Sequence, residues 1–165
     1  MGTMNKGLLH KMSKKYEITG ETINFRTKTL HRIMAIRDFD DIKMGDIGGW
    51  IEKEENLSHD GNAWVYDNAM VLDDAIVCDN AQVYGKAIVH DDAQVQGDAQ
   101  VYGKAIVHDK ALVYNKARVY GHAWVCDDAL VCGNARVYGH AMVDGKAIVC
   151  CDAKVCNDDI VHDNL

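Results

Sequence analysis

Proline is absent from all 165 residues of the sequence, and threonine is absent after Thr29. A surface of stacked threonines, which ice binding requires, is therefore excluded for the larger part of the chain. No run of apolar residues approaches the ~18 that a membrane-spanning helix needs, and no charged segment leads into an apolar one as in a secretory signal. We therefore expect a cytoplasmic protein that has no membrane partner.

Positive charge is also scarce, because 18 lysine and arginine residues stand against 25 aspartate and glutamate residues, which gives a net charge of −7. Phosphate backbones are bound by concentrated positive charge, so we expect no nucleic-acid polymer as a partner. The six cysteines form no C-x-x-C pair, and in a cytoplasmic protein we predict that they are reduced thiols. The sequence predicts no metal site.

A six-residue repeat fills the larger part of the chain. Valine recurs at every sixth position from Val65 to Val161, 17 times without a gap, and alanine stands two positions before it from Ala63 to Ala153. Two positions before each alanine position stands glycine, aspartate or asparagine, with Cys151 as the exception. Alanine and valine two positions apart point to the same side of a strand, whereas glycine, aspartate and asparagine tolerate a left-handed bend. Each hexad is therefore predicted to form a short strand and a corner.

The outward-facing residues indicate how many hexads make one coil. Tyrosine follows valine at positions spaced by 18 residues, namely Tyr66, Tyr84, Tyr102, Tyr120 and Tyr138. Eighteen residues are three hexads, so we predict an all-β fold: a parallel β-helix shaped as a triangular prism, with 18 residues per coil and about 5.7 coils. A single hexad cannot bury its own face, so each coil must be stabilised by its neighbours.

The residues before the repeat predict a cap on the first coil. Two apolar segments, Tyr16–Thr19 and Thr22–Phe25, flank a Gly-Glu dipeptide, which predicts an N-terminal β-hairpin, and a further strand is expected at Leu30–Ile36. We expect Trp50, which follows two glycines, to close the top of the prism, because an open coil edge invites further strand pairing. The predicted organisation is a disordered or tag-derived segment at 1–15, a β-hairpin and strand cap at 16–60, and the hexapeptide-repeat β-helix at 61–165.

The hexads resemble those of a known superfamily. Repeats such as V-Y-G-K-A-I, V-H-D-K-A-L and V-Y-G-H-A-W are similar to the hexapeptide repeat of the left-handed β-helix transferases. Residues 37–63, RDFDDIKMGDIGGWIEKEENLSHDGNA, resemble the N-terminal cap of a poorly characterised bacterial and phage subgroup of these transferase-like proteins. The resemblance implies a left-handed helix and a homotrimer. It also suggests, as one alternative, a phage-encoded protein that sequesters a nucleotide messenger.

A second alternative implied by the resemblance is an acyl-CoA-dependent acyltransferase. Acyltransferases of this superfamily use a histidine between subunits as a general base toward the acceptor, and His90 and His108, spaced by 18 residues, are the candidates here. Coenzyme A is expected as a cofactor only under this alternative, and no cofactor otherwise. The 17 hexads run without an inserted loop of the kind that builds an acceptor pocket in such enzymes, which disfavours catalysis.

The residue before each valine faces outward and distinguishes three faces by polarity. Two of the faces are apolar, and soluble monomers rarely expose apolar patches of that size. A prism with two apolar faces suits a ring in which each subunit contacts two neighbours, so we predict a homotrimer. The predicted interface residues are Met70, Ile88, Ile106, Trp124 and Met142 on one face, and Leu112 and Leu130 on the other.

The third face is polar and lies beside the column of tyrosines. Rings and guanidinium groups in register offer a surface for a ring-bearing ligand such as a nucleotide or a sugar. The predicted ligand-binding residues are Tyr84, Tyr102, Tyr120, Tyr138, Arg118 and Arg136. The alternative is that the stacked tyrosines only support one another. The favoured function is a non-catalytic trimeric β-helix that serves as a scaffold or binds a small ligand or a protein partner.

Overall fold

The structure, a computed structural model, describes residues 14–163. Residues 1–13, most of the segment predicted to be disordered or tag-derived, lie outside this range. Lys14 and Lys15 belong to the cap instead: the Lys14 ammonium pairs with the Glu54 carboxylate at 2.8 Å, and Lys15 is fully buried. The Lys15 ammonium donates hydrogen bonds to the carbonyl oxygens of Ala63 at 2.7 Å and Gly61 at 3.2 Å. The cap therefore includes two residues more than predicted.

Three long strands and one short helix form the cap, namely β1 (Tyr16–Phe25), β2 (Lys28–Ala35), β3 (Ile47–Ile51) and a 3-10 helix (Glu54–Asn56). β1 and β2 form an antiparallel hairpin, and β3 pairs antiparallel with β2. The predicted hairpin between Tyr16–Thr19 and Thr22–Phe25 is wrong, because both segments and Gly20-Glu21 lie inside β1, where the register shifts between Ile18 and Thr22. Glycine inside a strand marks a bulge as readily as a turn. The chain reverses instead beyond Phe25, at Arg26, whose φ is 55°.

Seventeen two-residue strands follow at intervals of six residues. They are β4 (Trp64–Val65), β5 (Met70–Val71), β6 (Ile76–Val77), β7 (Gln82–Val83), β8 (Ile88–Val89), β9 (Gln94–Val95), β10 (Gln100–Val101), β11 (Ile106–Val107), β12 (Leu112–Val113), β13 (Arg118–Val119), β14 (Trp124–Val125), β15 (Leu130–Val131), β16 (Arg136–Val137), β17 (Met142–Val143), β18 (Ile148–Val149), β19 (Lys154–Val155) and β20 (Ile160–Val161). Within residues 14–163 we find no helix with the length and hydropathy of a membrane span.

Every third short strand belongs to the same parallel sheet, so the coil contains three hexads, as predicted. Face one consists of β4, β7, β10, β13, β16 and β19, and face three of β6, β9, β12, β15 and β18. Face two consists of β5, β8, β11, β14, β17 and β20, and it continues through β3 into the cap hairpin. The predicted all-β fold of stacked parallel coils is confirmed.

The interior of the prism contains the alanine and valine columns. The valines from Val65 to Val143 are fully buried, as are the alanines from Ala63 to Ala147. All 17 corner positions have positive φ, between 54° and 73°, and Cys151 is among them with φ 60°. The corner residues were thus predicted correctly from their tolerance of left-handed backbone.

The top of the prism is closed differently from the prediction. Ile51, rather than Trp50, pairs in register with Val71 and continues the inner column. Trp50 faces outward beside Met70, and the Arg32 guanidinium lies 3.9 Å from the centre of its ring. The prediction for Trp50 is wrong because side chains alternate along a strand, and here the side chain of Ile51 points inward.

Candidate functional site

The corner that follows face one, here called the tyrosine edge, carries the predicted ligand-binding tyrosines. Four rings form a continuous parallel stack: Tyr84 and Tyr102 have centroids 4.6 Å apart, Tyr102 and Tyr120 4.8 Å, and Tyr120 and Tyr138 5.0 Å, with interplanar angles of 2° to 4°. The stack follows from the register, because strands 18 residues apart are paired residue for residue. Identical neighbours therefore adopt the same orientation one coil apart.

The stacking geometry determines what the tyrosines offer to a ligand. Parallel rings at this separation are offset-stacked, so each ring face is occupied by the next ring. Burial raises the pKa of the Tyr84 and Tyr102 phenols, which keeps them protonated and able to donate hydrogen bonds. The column thus presents a row of hydroxyl groups and ring edges to a ligand, and its ring faces are occupied by neighbouring rings. This geometry favours the alternative in which the stacked tyrosines support one another.

Basic side chains accompany the tyrosine stack. The predicted residues Arg118 and Arg136 are exposed on face one and pair in register with each other. Both guanidinium groups lower the pKa of Tyr102, in opposition to the stronger effect of its burial. The same edge carries an exposed basic column just after its glycine corners, composed of Lys86, Lys104, His122 and His140.

Glycine corners separate the tyrosine column from the basic column. At Gly103, whose φ is 72°, an added Cβ would lie 2.9 Å from the amide nitrogen of Gly121 in the next coil. A side chain at this position would therefore require the neighbouring coil to shift. The glycine backbone separates the tyrosine column from the column of lysines and histidines.

The corner that follows face two, here called the aspartate edge, has the opposite charge. A shallow groove there is lined by Asp91, Asp92, Asp109, Lys110, Asp127 and Asp128. Corner carboxylates accept hydrogen bonds from the next coil, for example from the backbone N–H of Asp109 to Asp91 Oδ2 at 3.4 Å. Net charge thus differs between the two edges. The tyrosine edge has no carboxylate between Tyr84 and His140, whereas at the aspartate edge carboxylates outnumber Lys110.

The two histidines predicted as candidate general bases lie at the aspartate edge. His90 and His108 are stacked, with ring centroids 5.0 Å apart and an interplanar angle of 3°. Each Nδ1 atom lies 2.8 Å from the Oδ2 atom of the aspartate that follows it, Asp91 or Asp109. His90 is buried and His108 partly exposed. The structure therefore brings the two histidines together beside two carboxylates, next to face two.

The predicted interface residues retain different degrees of exposure. Trp124 on face two is 43% exposed. The other predicted residues are half-buried: Met70, Ile88, Ile106, Met142, Leu112 and Leu130. On face three, Ile76 and Ile148, which were not among the predicted residues, are 40% and 53% exposed.

The cap covers the upper part of face two. Ile23 and Phe25 of the hairpin pack against a cluster that includes Leu30, Trp50 and Leu72, and this cluster also contacts Met70 and Ile88. These two predicted interface residues thus have partners within the same chain. Coverage by the N-terminal segment, which could hide one face but hardly both, is the alternative to a trimer, and the structure shows such cover over the upper part of face two.

Lys86 and Lys104 are the candidate site residues that our sequence reasoning missed. Their signal is present in the sequence, since they share one repeat position with His122 and His140 at spacings of 18 residues. Lys110, Lys116 and Lys146 occupy the equivalent hexad position at other corners, which conceals the column until the coils are assigned. The difference in net charge is visible only when the edges are read separately.

Comparison with known proteins identifies the repeat. Residues 63–79 and 135–150 match the family model described as YdcK beta solenoid repeat. A segment of 54 residues, 32% of this chain, is 43% identical to a protein of Escherichia coli strain K12 named uncharacterized acetyltransferase YdcK, and it covers 17% of that protein. The chain thus spans a minor part of the relative's length. Together with the stacked coils, these matches confirm the resemblance to the hexapeptide-repeat transferase-like proteins.

Proposed function

We propose that this transferase-like β-helix is a non-catalytic homotrimeric module that binds a small anionic ligand, of the nucleotide or sugar-phosphate class, along the tyrosine edge. The observation that carries the proposal is that the tyrosine edge and face one carry basic side chains and no carboxylate between Tyr84 and His140, in a chain whose net charge is −7. Lys86 and Lys104 flank the glycine corners on one side, and Arg118 and Arg136 extend from face one on the other. Fixed cations at close spacing attract phosphate oxygens.

The tyrosine hydroxyls complete the chemistry of this edge. A row of protonated phenols spaced by one coil donates hydrogen bonds to phosphate or sugar oxygens. The rings are held by stacking, so few rotamers are lost on binding, which favours affinity. The exposed glycine backbone at Gly85 and Gly103 permits a ligand to approach more closely than a corner with a side chain does.

The proposed trimer follows from the apolar outer surfaces. Trp124 on face two and Ile148 on face three retain large exposed fractions. A ring in which face two of one subunit contacts face three of the next buries both at once. The tyrosine edge and most of face one then remain at the outside of the ring, accessible to the ligand.

A paired substitution tests the ligand site. Lys104→Ala removes a cation from the tyrosine edge, and Lys110→Ala removes one from the same hexad position at the aspartate edge. Titration calorimetry with nucleoside phosphates and nucleotide sugars, preceded by native mass spectrometry of the protein as purified, should give at least tenfold weaker binding for K104A and unchanged binding for K110A. Equal effects of the two substitutions, or no binding by the wild type, would refute the proposal.

Acyl transfer from acyl-CoA is the second candidate function, favoured by the His90–Asp91 and His108–Asp109 contacts and by the name of the Escherichia coli relative. A histidine oriented by a carboxylate is suited to act as a general base. The two candidates separate in one assay: acetyl-CoA with amine and hydroxyl acceptors should release free thiol if the chain is an acyltransferase, and His90→Gln should abolish that release. Binding without thiol release supports the module.

A further inference from the structure

The aspartate edge contains two His-Asp dipeptides, one coil apart, whose side chains lie side by side. Val89 and Val107 pair in register, so His90-Asp91 and His108-Asp109 leave the strands with the same geometry one coil apart. The two imidazole rings are parallel and stacked. As a result, nitrogen and oxygen donors of two coils face a common region at the surface.

Three donor atoms of this region lie close together. Asp91 Oδ2 is 2.8 Å from His90 Nδ1 and 4.0 Å from His108 Nδ1, and one donor atom from each of the three residues lies within 4.8 Å of the other two. A tetrahedral ion with bonds of about 2.0–2.1 Å to nitrogen and oxygen requires donors ~3.3 Å apart. The observed distances lie on both sides of that value, and the parallel imidazole rings must rotate about their side-chain bonds for both nitrogens to point at one ion.

The burial of His90 distinguishes this cluster from an ordinary solvated corner. The residue is 7% exposed, and its Nδ1 atom is buried without a hydrogen bond of acceptable geometry, despite the nearby carboxylate. Buried polar atoms without a partner are rare in folded proteins, and each one requires an explanation.

We propose that His90, Asp91 and His108 of one chain bind a divalent first-row transition-metal ion, with Zn²⁺ as the representative species. Two imidazole nitrogens and one carboxylate oxygen are a donor set for such ions rather than for Ca²⁺ or Mg²⁺, which prefer oxygen ligands. The site lies on a different edge from the proposed anionic-ligand site, so it does not depend on that function.

The surroundings support the same assignment. The backbone N–H of Asp109 donates to Asp91 Oδ2 at 3.4 Å, which orients the carboxylate. A second donor group, His108 with Asp109 and Cys126, shares His108 with the first. The two groups share the His108 imidazole, so we expect one ion per chain.

The second histidine stack of the protein supplies a matched control. His122 and His140 are stacked with centroids 4.8 Å apart, but both are exposed. Within residues 14–163, neither belongs to a cluster of three metal-ligating side chains. The two stacks share spacing and residue type, and they differ in burial and in the adjoining carboxylate.

The test is zinc binding to the chelator-treated full chain, measured by competition with a chromophoric chelator. We expect one equivalent of Zn²⁺ per chain and a rise in melting temperature that Mg²⁺ does not produce. His108→Gln and Asp91→Asn should weaken binding at least tenfold, whereas His122→Gln should leave it unchanged. His108 is partly exposed, so its substitution preserves the fold, which circular dichroism verifies.

Two results would overturn the proposal: no stoichiometric binding by the wild type, or equal loss of binding in H108Q and H122Q. Absorption of the Co²⁺-loaded protein adds an independent readout, since coordination by His90 and His108 produces d–d bands that H108Q must change. Unaltered bands in H108Q would place the ion elsewhere on the chain.

Discussion

The exposure of Trp124 permits a quantitative test of the proposed trimer. A tryptophan buries up to about 250 Å², and 43% of Trp124 is exposed, so roughly 100 Å² is available to a neighbouring subunit. At about 25 cal/mol per Å², its burial contributes about 2.5 kcal/mol to each seam. A closed trimer contains three equivalent seams, and a change of this size weakens each by nearly a hundredfold.

Trp124→Glu removes this contribution and places a charge in the seam, which adds a desolvation cost. Sedimentation velocity distinguishes the 18.3 kDa monomer from a complex three times as heavy. We expect a wild-type trimer and a W124E monomer at micromolar concentration. Arg136→Glu is the control, because it changes the equivalent strand position on face one and should leave the trimer intact. A monomeric wild type, or a W124E trimer as stable as the wild type, would refute the reasoning.

Three further predictions concern stability, each measured by chemical denaturation. Cys151→Gly should stabilise the fold by about 0.5–1 kcal/mol, since φ 60° is costly for cysteine and glycine loses part of the gain through chain entropy. Burial lowers the pKa of Lys15 from 10.5 to about 8 in the folded protein, so between these pH values the unfolded chain binds more protons than the folded one. The free energy of unfolding should therefore rise with pH across this range, by up to about 3 kcal/mol. The K15M variant should lack this rise. Ala99→Leu should cost about 1–3 kcal/mol by overpacking the interior, where Ala99 is fully buried, whereas Ala153→Leu, at an exposed position of the same column, should cost far less.

The sequence predicts the repeat region more accurately than the cap for a physical reason. Each inward position is represented 17 times, so the pattern of valine, alanine and corner residue determines the strands, the coil length and the three faces. The cap contains each of its elements once. Local patterns could not decide between a turn and a bulge at Gly20, or between Trp50 and Ile51 as the closing side chain, because pairing with distant strands decides both.

Burial at the candidate sites was the least predictable property. The sequence places His90 and His108 at the same outward position, yet only His90 is buried. One coil above His90, the same position holds Leu72, which belongs to the cap cluster. Likewise, Met70 has the same repeat position as Met142 but contacts the hairpin. Equivalent repeat positions have different environments near the ends of the stack, because the residues that pack against the end coils lie outside the repeat.

A ladder of identical side chains is inert where its members satisfy one another. The tyrosines do so by offset stacking, and the glutamines of face one do so by donation from Gln100 Nε2 to Gln82 Oε1 at 3.1 Å. The corner carboxylates accept backbone N–H groups of the next coil. His90 has no such partner for its buried Nδ1 atom, and the lysines of the tyrosine edge repel one another. Binding is therefore expected at these two edges. A metal ion would give His90 Nδ1 the partner that the next coil does not provide, and an anion would neutralise the lysines of the tyrosine edge.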